Sequence, residues 1–181
     1  MIIHVNDHFA HLLDDATDRQ KIWLAFWSYI YHENKCDTWF NLHPKDYGFM
    51  LGLSETNYMM NAICSTSHPV QNPTAKRHLG EAIAAEFEWR VENRHNVLWR
   101  SKTLSTKYTG RLSRAMAPKP RTETEITDPK AINMWCYLLG RLKGGNLATT
   151  FSWWQQGFWT ISDLELDEMG QKPYERKSVD I

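Results

Sequence analysis

Apolar residues recur at helical spacing in three stretches of this chain, and proline and glycine punctuate the intervals between them. The first stretch, roughly 19–33, carries Ile22, Phe26, Tyr29 and Ile30 on one stripe, with Thr17 or Asp18 placed to cap it. The second starts at Asn72-Pro73-Thr74 and runs to about Asn93, with Leu79, Ile83, Phe87 and Val91 stepping by four. The third begins at Asp128 and Pro129, sets Ile132, Trp135, Cys136, Leu139 and Leu142 on one side, and stops at Gly144-Gly145. Residues 37–42 read as extended, a short strand. Ser65 to Pro73 is a turn-rich break. Phe151, Trp153, Trp154, Phe158 and Trp159 form a dense apolar cluster that is core, or a protein interface wherever it is exposed. No internal repeat is evident, and the final residues are polar.

A second layout sits inside the first half. In residues 44–63, Pro44 suits a first helical turn, and Tyr47 and Leu51 lie four apart on one face. Gly52 can end that helix in a left-handed conformation, and Ser54 can cap a second one with Tyr58 and Ala62 or Ile63 turned inward. With the aromatic-rich helix before it, the span from about Arg19 to Ile63 resembles the helix-turn-helix or winged-helix N-terminal domains of phage and plasmid replication initiators. The resemblance covers about a quarter of the chain. It implies that Ser54, Glu55, Thr56 and Asn57 face DNA, with Asn57 bonding adenine and Ser54 or Thr56 a phosphate. The alternative is a helical hairpin that packs a core or presents Met59 and Met60 to a protein partner, since its second helix holds no Arg or Lys. The expectation is therefore a mainly α protein. It would have a helical domain over 1–95 containing the helix-turn-helix-like 44–63, a basic linker segment over 96–127, and a C-terminal helix with the aromatic cluster over 128–181.

Charge changes this picture. The formal net charge is zero, yet residues 90–121 hold 9 Lys or Arg against 1 acidic residue, while residues 1–89 hold 6 against 11. In the basic segment Arg90, Arg94, Arg100, Lys102, Lys107, Arg111, Arg114, Lys119 and Arg121 are interleaved with Trp99 and Tyr108, a mix suited to phosphate contact and base stacking. The competing account is a solvated face paired with the acidic first half, within one chain or between copies.

Other chemistry is thinner. His4, His8 and His11 would align on one helix face, as a zinc-type site or as a polar stripe titrating near neutrality. Ser65-Thr66-Ser67 and Glu123-Thr124-Glu125 resemble the serine-threonine-serine and glutamate-x-glutamate elements of ADP-ribosyltransferases, which would make Glu125 catalytic. Phosphate-loop, dinucleotide, nucleophile-elbow and HExxH patterns are all missing from the sequence. Cys36, Cys64 and Cys136 are widely spaced and read as free thiols of a cytoplasmic protein. The longest apolar run, Ile22 to Tyr31, is too short to span a bilayer. The sequence thus points to a non-enzymatic nucleic-acid-binding or regulatory protein without a cofactor. The alternative is a phage-type factor that binds and modulates a host enzyme, and a transferase comes third.

Overall fold

Thr17 opens the longest helix among the described residues through a reciprocal cap. Its hydroxyl accepts the Gln20 N–H at 3.2 Å while the Gln20 side chain accepts the Thr17 N–H at 3.0 Å. The resulting helix, α1 (Asp18–Glu33), is buried around most of its circumference, including Trp23, Leu24, Ala25, Phe26, Trp27, Ser28, Ile30 and Tyr31. A helix apolar on all sides belongs inside a fold, and α1 is the element around which the rest is assembled. The computed structural model describes residues 1–42, 47, 50, 51, 69–93, 97–108 and 116–143, with backbone only at 108, 137 and 140–143.

Two antiparallel sheets flank that helix. The larger has the order β2 (Phe40–Asn41), β4 (Val97–Ser101), β3 (Phe87–Val91), so β4 lies between two strands that precede it in the chain. The smaller pairs β1 (Ile2–Val5) with β5 (Thr122–Glu125), with Ile3 opposite Thr124. A 3-10 helix (Asp7–Leu12) follows β1. The short helices α2 (Pro73–Leu79) and α3 (Glu81–Ala84) precede β3, and α4 (Lys102–Tyr108) follows β4. Helix α5 (Pro129–Lys143) returns to α1, where Trp135 meets Tyr29 at 5.8 Å between ring centroids. Asp18, in the first turn of α1, accepts the Thr127 and Asp128 N–H groups at 2.9 and 2.7 Å and so fixes where α5 begins.

The mainly α expectation is overturned: the fold is mixed α/β. The helix expected from 74 to 93 stops at Leu79, where Gly80 takes φ +78°, and resumes only briefly before β3. A spacing of four is also twice a strand's period of two, so Phe87 and Val91 suit either element. Strand residues Phe87 and Trp89 alternate with Glu88 and Arg90 and turn inward, which decides the matter. Strand β5, Thr-Glu-Thr-Glu, has no apolar alternation from which to be recognised. In α5 the buried apolar residues among those described are Ala131, Met134, Trp135 and Leu138, so the inward stripe is centred about one position before the one read from the sequence.

The core is an aromatic stack between α1 and the inner face of the larger sheet. Trp23 lies 5.4 Å from Trp99 and 5.5 Å from Phe87, and Trp27 stacks on Tyr31 at 5.7 Å. Three polar ties fix the registry. Trp99 donates its indole N–H to the Leu42 carbonyl at 3.0 Å, the Ser101 N–H donates to the Tyr31 hydroxyl at 2.9 Å, and Ser28 accepts the Asn6 N–H at 2.8 Å. Among the described residues no helix is long and apolar enough to cross a membrane.

Most of the helix-turn-helix-like 44–63 lies outside the described residues, including Ser54, Thr56 and Asn57. Of that segment Tyr47, Met50 and Leu51 are described, and all three are buried. Tyr47 stacks on Trp99 at 5.2 Å, and the Leu51 N–H reaches the Tyr47 carbonyl at 3.2 Å, one helical turn.

Candidate functional site

The pleat that turns Phe87, Trp89, Val97 and Trp99 inward sends Glu88, Arg90 and Arg100 to the opposite face of the same sheet. Trp39, just before β2, extends the pairing of Phe40 with Trp99 and so comes opposite Arg100. There the Arg100 guanidinium lies 4.4 Å from the Trp39 ring centroid and that of Arg90 lies 4.9 Å from it. Glu88 faces Arg100 across the β3–β4 pair and accepts its Nε at 2.8 Å and also its Nη2. That two-bond clasp orients Arg100 and neutralises it. Arg90 is exposed and makes no ion pair with any described residue. Among the described residues the outer face therefore presents one aromatic ring, the Arg100 guanidinium neutralised by Glu88, and the Arg90 guanidinium without an ion pair.

The other basic residues take separate paths. Lys102 opens α4, with its backbone N–H donating to the Glu86 carbonyl at 2.9 Å, and its side chain is exposed. Lys107 is near the end of the same helix, its charge felt at Asp7 and His8. Arg121 pairs with Asp7 at 3.1 Å and Lys119 is exposed. The hydroxyl of Thr122 and the Arg121 guanidinium together hold the Asp7 carboxyl below its ordinary value. Arg94, Arg111, Arg114 and the Tyr108 side chain lie outside what is described. The fold thus gathers Arg90 and Arg100, and sets Lys102 and Lys107 apart on α4. Of the two aromatics expected to take part, Trp99 points into the core. The partner sequence reasoning missed is Trp39, whose signal was its place beside Phe40 in an alternating strand.

His4, His8 and His11 do not share a helix face. His4 belongs to β1, where it meets Glu123 at 3.7 Å, whereas His8 and His11 belong to the 3-10 helix. These two converge on Glu86, at 3.8 and 3.6 Å. His8 Nε2 also lies 2.7 Å from the Thr103 hydroxyl, which donates its proton to Glu86. With the Thr103 proton directed to Glu86, the hydroxyl is left to accept from the imidazole, an arrangement that suits the His8 tautomer protonated on Nε2. Burial holds its pKa below the ordinary 6.5 despite the nearby Glu86 charge, with Lys107 and His11 acting in the same direction as burial. Among the described residues no group of His, Cys, Asp or Glu could hold a metal ion.

Glu125 is exposed on β5, and its carbonyl accepts the Lys21 ammonium at 2.8 Å. The serine-threonine-serine stretch that would complete a transferase site lies outside the described residues. In comparisons with protein-family models, curated proteins and solved structures, nothing matches this chain.

Proposed function

We propose that this is a non-enzymatic nucleic-acid-binding protein of the cytoplasm that makes contact through the outer face of the β2–β4–β3 sheet. The observation that carries the reading is the Trp39 ring with Arg90 and Arg100 against it. Ring and guanidinium planes offer stacking surfaces to bases, and an exposed arginine offers a bidentate donor to phosphate. The cytoplasmic part of the reading is supported by Cys36 and Cys136, which among the described residues are free thiols.

The test is a fluorescence-anisotropy titration with labelled duplex and single-stranded oligonucleotides over a range of salt. Binding should weaken steeply as salt rises, and Arg90→Glu should abolish it. Salt-independent binding, or binding untouched by that charge reversal, would remove the basis of the proposal.

A protein partner is the second reading. It is favoured by Arg100 and Arg121, whose charges are already met by Glu88 and Asp7. It requires that no oligonucleotide bind at low salt and that a specific host protein be retained reproducibly by the immobilised chain.

A further inference from the structure

We infer that the occupant of the outer sheet face is single-stranded nucleic acid, with one base stacked on Trp39 in the place Arg90 now holds; this rests on the nucleic-acid reading above. Three features of the face lead there.

The two arginines against Trp39 differ in freedom. Arg100 is fixed by the Glu88 clasp through both Nε and Nη2, and the side chains of both partners are about three-quarters buried, at 27% and 25% exposure. Arg90 is exposed and touches Trp39 without an ion pair to any described residue. A base stacked on an aromatic ring is a stronger contact than an exposed cation over that ring, so a base can displace Arg90 from Trp39. Displacement also releases the Arg90 guanidinium, now 4.9 Å from the ring centroid, to reach for a phosphate of the stacked nucleotide. Ring and cation then serve one nucleotide together.

Glu88 disfavours the competing occupant. A duplex keeps its bases paired and offers this face mainly phosphates. To those, the face presents a carboxylate beside Arg100, and the fork that would grip a phosphate is already filled by Glu88. A single strand can present an unstacked base instead, and a base is indifferent to that carboxylate. Stacking and one phosphate contact read neither sequence nor sugar, so DNA and RNA strands should bind alike.

The experiment uses the full chain, oligonucleotides of DNA and RNA carrying 2-aminopurine, and the matching duplexes. Single strands should bind with a change in base fluorescence, and duplexes should bind at least about tenfold more weakly. Trp39→Ala should weaken single-strand binding about 10- to 100-fold, and Trp39→Phe should restore most of it. Arg90→Ala should reduce the steepness of the fall of log affinity with log salt by about 0.7, and Glu88→Gln should increase that steepness by a similar amount, as Arg100 becomes free to take a phosphate. Circular dichroism and melting temperature establish that each variant is folded. If strands and duplexes bind equally and Trp39→Ala changes neither, the stacking assignment is wrong while nucleic-acid binding stands. If no oligonucleotide binds at any salt concentration, the nucleic-acid reading itself fails.

Discussion

The two faces of the β2–β4–β3 sheet are built from alternate residues of the same strands and hold together by different physics. Inward, Phe87, Trp89, Val97 and Trp99 meet Trp23, Trp27 and Tyr47 in a buried, mostly aromatic core. Outward, Arg90 and Arg100 lie against the half-exposed ring of Trp39, and Glu88 holds Arg100. Tryptophan appears on both sides. Its neighbours decide whether it contributes to stability or remains available to a ligand.

The sharpest way to break this contrast is to truncate one ring on each side. Trp99→Ala removes a fully buried indole and its bond to the Leu42 carbonyl, and should destabilise the fold by about 3–5 kcal/mol in denaturant unfolding. If that loss were as small as the one at Trp39, the division between faces would collapse. Next in size is Thr103→Val, at the edge of the sheet. It leaves His8 and Glu86 without the hydroxyl between them and should cost about 1–3 kcal/mol by the same measurement. Thr17→Ala tests whether α1 depends on its cap as well as on burial, with an expected loss of about 1 kcal/mol.

Acidity probes the same edge. Burial lowers the His8 pKa in the folded state, so the native protein holds this imidazole neutral more firmly than the unfolded chain does. The associated stability is complete above 6.5 and declines as pH falls from there through the folded-state pKa. His78, lowered mainly by burial and then by Arg77, adds to the same loss. Melting temperature should therefore drop between neutrality and pH 5, and less so in His8→Gln; an identical drop in that variant would show that His8 is not responsible. The smallest expected effect is Trp39→Ala, within about 1 kcal/mol of the parent in stability.

Legibility from sequence followed the same division. Helix α1 was recognisable from its cap and its apolar run, and α5 from its Asp128-Pro129 start, although the buried stripe of α5 lies about one position before the one its spacing indicated. Strand β3 was hidden by a coincidence of periods, and β5 by its lack of any apolar residue. The charge of the basic segment could be read directly, but its arrangement could not. The linear run Arg90 to Arg121 gave no sign that Arg90 and Arg100 would share the ring of Trp39, 51 and 61 residues away in the chain. Nor did it reveal that Glu88 and Asp7 would each claim an arginine, because such pairs are set by strand register and chain return rather than by local spacing. The convergence of His8 and His11 on Glu86 was invisible for the same reason.

The strand order also bears on how the protein is made. As translation proceeds, β2 and β3 leave the ribosome as edges with no partner, because the strand that joins them has yet to be synthesised. β1 waits longer still, until β5 appears at Thr122. A nascent chain halted before Val97 would expose the tryptophans of α1 to its surroundings and present strand edges suited to wrong pairings. Chaperone demand should fall once β4 has cleared the exit tunnel, and ribosome-bound chains of graded length would reveal that step by their resistance to protease.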